Sequence, residues 1–216
     1  MPVDYKKIYD RDYFNGKNSF FWKLGYGNFS KIYFDNTFKP IAKYDHAIKN
    51  LNILDVGCAY GLMLERFSSS FHKFGIDVSQ YAIDIAQKRL PEANFKTGNI
   101  EERLPYEENF FDIVLANDLL EHLENPMMAL KNIYRVLKKG RILYITTPNL
   151  NNTRKIILKY ADEKEHHVSL FLHLDLMDNL RKIGFKVEEH WTFVNLFVYL
   201  RFKSNMGTES GFICRK

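Results

Sequence analysis

The chain has 216 residues, 46% of them apolar, and 31 lysines and arginines against 26 aspartates and glutamates, for a formal net charge of +5. That length suits one α/β domain with a sizeable core, and no window reaches the roughly eighteen consecutive apolar residues of a membrane-spanning helix. The basic residues are interspersed with acidic ones instead of gathered into a stripe, which argues against nucleic acid as a partner. The start, Met1-Pro2-Val3-Asp4-Tyr5-Lys6-Lys7, lacks the apolar centre of a secretory signal. Cys58 and Cys214 are too few for a disulfide framework, so reduced thiols and a cytoplasmic location are expected.

Residues 1–49 form an aromatic-rich segment, crowded from Tyr13 to Phe38 and broken by glycines and asparagines. It reads as short helices and turns that either pack over a sheet or act as a lid, with Tyr13 and Phe14 as lid candidates. A helix is expected between Pro40 and about Lys49. From residue 50 to the end the pattern is that of one α/β domain. Leu51–Val56 reads as a buried strand, followed by a helix from about Tyr60 to Phe71 and a second strand over Lys73–Asp77. Ser79 can cap the next helix, which Pro91 stops. Asn94–Lys96 and Phe111–Ala116 read as the third and fourth strands. Asn125 caps a helix from Pro126 to Leu137, closed by Lys138-Lys139-Gly140, with Met127, Leu130, Ile133, Tyr134 and Leu137 on its apolar face. Arg141–Thr147, Lys186–Val194 and Gly211–Arg215 complete the strands, with a helix over 173–183. Strand–helix alternation with apolar strands implies a parallel sheet covered by helices on both faces. Residues 148–171 show no core pattern, and Leu196–Leu200 reads as an exposed apolar surface for pairing or membrane contact.

The central motif is Asp55-Val56-Gly57-Cys58-Ala59-Tyr60-Gly61, a glycine turn at the end of a strand. A dinucleotide site would want G-x-G-x-x-G with pyrophosphate on a helix N-terminus. Here the spacing is Gly-x-x-x-Gly, and Asp55 would repel pyrophosphate but suit a ligand with an ammonium group. Asp77 follows Asp55 by 22 residues, at the end of the next strand, where a carboxylate can accept from both hydroxyls of a ribose.

These residues resemble the class I S-adenosylmethionine (SAM)-dependent methyltransferases over about residues 40–216. Four stretches carry the likeness: Leu54–Gly61, Gly75-Ile76-Asp77-Val78-Ser79, Gly98-Asn99-Ile100 with Leu104-Pro105, and Asn117-Asp118-Leu119-Leu120-Glu121-His122-Leu123 running on through Asn125-Pro126, Arg135–Lys138 and Thr147–Asn149. Two positions depart from the pattern: Ala59 stands where a glycine is common, and Asn99 where an acid is usual. The resemblance implies a Rossmann-like seven-stranded, mostly parallel sheet with its last strand antiparallel. It implies SAM as cosubstrate, with Asp55, Gly57, Cys58, Ala59, Tyr60 and Gly61 at the methionine part, and Asp77 and Val78 at the ribose. Asn99 and Ile100 fall to the adenine, and Asn117, Asp118 and Leu119 to the wall near the sulfonium.

Methyl transfer from a sulfonium is a direct displacement, so the protein supplies mainly alignment, plus a base for an O or N nucleophile. His122, His166 and His167 are the candidates for that base. His122 also reads as a structural histidine holding the loop after the fourth strand. Asp118-x-x-Glu121-His122 with a later histidine also offers ligands for a divalent metal, an arrangement similar to that of metal-dependent RNA 2′-O-methyltransferases and some quinone-precursor O-methyltransferases. No metal is expected as the default. The expected function is methylation of a small-molecule, sugar or lipid-precursor acceptor. The alternatives are a SAM-binding protein without catalysis, a metal-dependent RNA methyltransferase and a nicotinamide-dependent oxidoreductase.

Overall fold

The apolar strands sort into two faces because successive side chains along a strand point to opposite sides. In β1 (Leu51–Val56), Ile53 faces one core while Leu54 and Val56 face the other; in β4 (Phe111–Asn117), Ile113 and Leu115 oppose Val114 and Ala116. A computed structural model of the chain describes residues 4–17, 26–45, 50–195 and 199–216, with backbone only for 26–30. The remaining strands are β2 (Phe71–Asp77), β3 (Asn94–Thr97), β5 (Leu137–Pro148), β6 (Lys186–Asn195), β7 (Tyr199–Phe202) and β8 (Glu209–Arg215). They form one sheet in the order β3-β2-β1-β4-β5-β8-β6-β7. The five from β3 to β5 are parallel, and β8 is antiparallel to β5. The sheet has eight strands where seven were expected. The extra one is β7, which folds back antiparallel on β6 through Thr192–Asn195, because the apolar run ending at Tyr199 and Leu200 has a strand edge to pair with.

Helices α1 (Tyr5–Ile8), α2 (Arg11–Phe14) and α3 (Tyr26–Phe38) cover one face. There Tyr13, Phe14, Phe34 and Ile41 join Ile53, Leu115, Tyr144, Trp191 and Phe193 in a single cluster. Of the aromatic N-terminal segment, Tyr13, Phe14 and Phe34 pack with the core; Phe20, Phe21 and Trp22 lie outside the described residues, as do 196–198 of the expected apolar surface. Of the helix expected after Pro40, the described part is a 3-10 turn, Ala42–Tyr44. On the other face, α5 (Pro126–Val136) and α8 (His173–Ile183) pack Leu130, Ile133, Leu176 and Leu180 against Val114, Leu143 and Phe212. The caps are as expected: Asn125 Oδ1 accepts from Met128 N at 3.1 Å, and Ser79 Oγ from Ala82 N at 3.3 Å at the start of α4 (Gln80–Arg89).

Two expectations are corrected. No α-helix forms over Tyr60–Phe71; a single 3-10 turn, Leu64–Arg66, stands there. The three serines 68–70 end it, since Ser68 N donates to Asp45 Oδ1 at 2.8 Å and the Ser68 and Ser70 hydroxyls bond each other at 2.7 Å. Lys138-Lys139-Gly140 does not close α5 but belongs to β5. Asp112, nearly buried, takes Lys138 Nζ at 2.7 Å and Arg141 Nε at 3.1 Å and so holds that irregular stretch in the sheet. Residues after β5 form two short helices, α6 (Asn152–Ile157) and α7 (Lys159–Lys164).

Candidate active site

The strand order reverses between β1 and β4, and in open α/β sheets ligands bind beyond the carboxyl ends of the strands at such a point. A cavity of about 700 Å³ opens there. Its floor is made by the ends of β1, β2 and β4: Asp55, Gly57, Cys58, Ala59, Asp77, Val78, Asn117, Asp118 and Leu119 line it, with Asn99 and Ile100 from the turn after β3. Thirteen residues were expected at the cofactor, and eleven of them meet here. Tyr60 and Gly61 do not reach the lining. The Tyr60 ring stacks on Phe14 at 5.0 Å, and Gly61 N closes the turn on Cys58 O at 2.8 Å.

The turn is built from left-handed backbone. Gly57 has φ +73° and Gly61 +72°. A Cβ on Gly57 would stand 2.9 Å from Leu119 Cδ1, so this residue is fixed both by conformation and by close approach. Ala59 sits at φ +44°, a region that an L-residue enters at a cost of about 1–2 kcal/mol. Asp77 holds it there: its Oδ2 accepts from Ala59 N at 2.9 Å and its Oδ1 from Ser79 N at 2.9 Å. Burial raises the Asp77 carboxyl above its ordinary range, and the amides of Ser79, Ala59 and Val78 work against that rise. Asp55 is pushed up further by burial and by the neighbouring Asp77 charge. Asn117 Nδ2 is buried with no hydrogen-bond partner, a donor aimed at nothing in the protein.

The other half of the cavity is aromatic and acidic. Tyr5, Tyr9, Tyr13, Phe14, Tyr33 and Phe34 form its wall beside Glu121, Arg154 and Glu209. Asp118, at φ +47°, receives the Tyr33 hydroxyl on Oδ2 and the Thr146 hydroxyl on Oδ1 at 3.2 Å. Glu121 Oε2 accepts from Thr147 Oγ1 at 2.9 Å, and burial followed by the Asp118 charge raises its pKa well above the usual carboxyl value. Burial lifts Glu209 to about 7 against the pull of Arg154.

His122 and His167 both line the cavity, with ring centroids 4.8 Å apart. His166 is exposed, at φ +58°, and lies outside the lining. Burial, then the neighbouring His167, drives the His122 pKa well below its ordinary value, so the ring is neutral. Its Nδ1 is buried and has no hydrogen-bond partner. His167 Nδ1 bonds Asp162 Oδ1 at 2.8 Å. Burial works to raise Asp162, but the hydrogen bonds from His167 and Arg154 prevail and keep it low. Donor atoms of Glu121, His122 and His167 all lie within 4.8 Å of one another. A histidine fixed from behind by a carboxylate, a neutral histidine with an orphan nitrogen and a carboxylate are the donor chemistry of a divalent metal site.

Tyr9, Tyr33, Arg154 and Glu209 were not legible as site residues. The first two were lost among many aromatics. Glu209 comes into place through the pairing of β8 with β5, where it stands opposite Pro148.

Residues 54–145 match a family model described as a methyltransferase domain. The ubiquinone biosynthesis O-methyltransferase of Rickettsia bellii is 28% identical over 194 residues, 76% of this chain and 80% of that one. The mitochondrial ubiquinone biosynthesis O-methyltransferase of Rattus norvegicus is 35% identical over 130 residues, 53% of this chain and 36% of that one, so this chain spans about a third of the rat protein's length. A Thermotoga maritima structure described as a SAM-dependent methyltransferase, possibly of histamine N-methyltransferase type, superposes with a TM-score of 0.69 at 19% identity, over 88% of this chain and 94% of that one. At that identity it speaks for the fold. With the glycine turn, the acid at the end of β2 and the cavity at the switch point, these matches mark the chain as a SAM-dependent methyltransferase that takes S-adenosylmethionine as its cosubstrate.

Proposed function

We propose that this enzyme methylates a hydroxyl oxygen of a small, ring-bearing acceptor. The observation that carries the reading is the division of one cavity into two chemically distinct halves. The first is the glycine turn with Asp55, Asp77 and Asn99; the second is the tyrosine wall with Asp118, Glu121, His122 and His167. In the first half Asp55 answers the ammonium of the methionine part, Asp77 the ribose hydroxyls and Asn99 with Ile100 the adenine. The Asn117 amide meets a polar atom of the cosubstrate. Asp118 and Leu119 bound the methyl-bearing sulfonium.

In the second half, stacked and edge-on tyrosines suit a flat apolar acceptor. Arg154 is the one lysine or arginine among the described lining residues, and it is paired with Asp162 and Glu209, so the wall offers no free cation to a polyanion, against the RNA alternative. His122 is neutral and therefore able to take a proton from an acceptor hydroxyl. The names of the curated relatives, both O-methyltransferases, support oxygen as the acceptor atom. A second reading rests on the three donors: Glu121, His122 and His167 would hold a divalent ion. When bound it would polarise the acceptor oxygen and lower the pKa of its proton.

The test is transfer of labelled methyl from SAM to a panel of phenols, catechols and amines, with and without EDTA. O-methyl products are expected. Methylation of amines alone would overturn the oxygen assignment. Full activity in EDTA would remove the metal and leave His122 as the base.

A further inference from the structure

We propose that Asp162, gripped by Arg154, is a positioning residue that locks His167 with its ring proton on Nδ1 and its Nε2 lone pair left for the cavity. The two nitrogens of a histidine are distinct, and the partner of one decides what the other offers. His167 Nδ1 stands 2.8 Å from Asp162 Oδ1, with the two side chains only 7% and 9% exposed, and His167 lines the cavity while Asp162 lies behind it.

The direction of that bond follows from what stands behind Asp162. Arg154 sends Nη2 to the same Oδ1 at 2.6 Å, and Nε to Oδ1 and Oδ2 at 3.1 Å each. A guanidinium donates and never accepts, so both oxygens must be bare toward it. An ionised carboxylate has no proton to give, and the hydrogen shared with His167 therefore belongs to Nδ1. In the neutral ring Nε2 is then the acceptor. His122 lacks this clamp, since its Nδ1 has no hydrogen-bond partner among the described residues.

The main chain aims the ring as well. His166, at φ +58°, turns through left-handed backbone, a conformation that persists where the surroundings over-determine it. Here they do: His167 N donates to Asp162 O at 3.0 Å, and Val168 N and Ser169 N both donate to Glu121 O, at 2.8 and 2.9 Å. The turn leaves His166 exposed and sets His167 beside Glu121 and His122, donor atoms of all three lying within 4.8 Å of one another. The role of Asp162 rests on the reading of this half of the cavity as the acceptor's. Whether His167 takes a hydrogen bond from the acceptor beside His122 or holds an ion, it needs a bare nitrogen.

The experiment is nitrogen NMR of the full chain labelled with 15N-histidine, free of acceptor and metal, in alkaline buffer, with the His167 signals identified by their loss in His167→Gln. The parent is expected to carry its proton on Nδ1. Asp162→Ala should spread the proton over both nitrogens and lower kcat for catechol methylation about 10–100-fold, with SAM affinity unchanged. In Asp162→Asn the donors of Arg154 keep the amide oxygen in the place of Oδ1, so the parent's proton position and much of its kcat should return. A purely structural role would lower Tm in both variants and leave proton position and kcat alone. Two results would overturn the proposal: a parent proton on Nε2, or a folded Asp162→Ala with the parent's nitrogen signals. A preserved SAM-induced thermal shift certifies folding, and if Asp162→Ala loses it, the spectra of the parent and Asp162→Asn decide. Should catechol not be methylated, the acceptor reading fails by itself and the nitrogen signals still judge Asp162.

Discussion

The Asp77 carboxylate reaches back across the cavity floor to the Ala59 amide at 2.9 Å. One side chain from the end of β2 thereby fixes the conformation of the turn after β1 while also lining the cavity. The residue proposed to receive the ribose is also the clasp of the glycine turn, so its loss acts twice.

Asp77→Ala is expected to lower SAM affinity by at least about a hundredfold, from two hydrogen bonds to a charged group at about 1.5–3 kcal/mol each. Asp77→Asn, which keeps the clasp to one amide, should lose about tenfold. Calorimetric titration reads both, and wild-type affinity in the alanine variant would remove Asp77 from the ribose site.

Gly57→Val should destabilise the fold by about 2–5 kcal/mol, combining left-handed strain with overpacking against Leu119. It should also abolish the thermal shift that SAM gives the parent. A normal shift in this variant would show that the cosubstrate does not lie along the turn.

Arg154→Ala strips the counter-ion from Asp162 and Glu209, with Nη2 at 2.6 Å and Nη1 at 2.7 Å lost together. Breaking a buried ion network from one side costs about 3–5 kcal/mol, read as a lowered urea midpoint. Limited proteolysis should cut first within 152–164. An unchanged midpoint would mean that the network contributes nothing to holding α6 and α7.

His173 carries the pH prediction. It lies buried between Ser210 at 3.0 Å and His190 at 3.1 Å, and burial, then the His190 charge, lowers its pKa from 6.5 to about 4. The unfolded chain therefore binds a proton in this window that the folded chain refuses. Stability is full above about pH 6.5 and declines as pH falls toward about 4. His173→Gln should flatten that part of the Tm–pH curve; a variant curve with the parent's slope would exclude His173 as the source.

The parallel strands, their helix caps and the glycine turn were all legible in the sequence. Each depends on residues within a few positions of one another: a run of Val, Ile and Leu, a Ser or Asn before a helix, Gly57 where only glycine fits. Asp55 and Asp77 were read from the same local pattern and Asn99 and Asn117 from the resemblance to the methyltransferases; all four line one cavity because every parallel strand delivers its carboxyl end to the same edge. The missing helix after Gly61 was not legible, since Asp45, well before it in the chain, takes the Ser68 amide and holds the serine run that ends the turn.

By itself, then, the sequence determined the parallel half of the sheet and the glycine-turn half of the cavity, both of which follow from local periodicity and turn chemistry. Tertiary structure alone decided what surrounds Asp118, Glu121, His122 and His167 in the other half: the tyrosine wall, Arg154 and Glu209. Tyr33 meets Asp118 across 85 residues and Tyr13 meets Glu165 across 152, and Glu209 arrives through an antiparallel register. Contacts so distant in the chain leave no spacing to read, because it is the packing of the N-terminal helices over the sheet that brings them together.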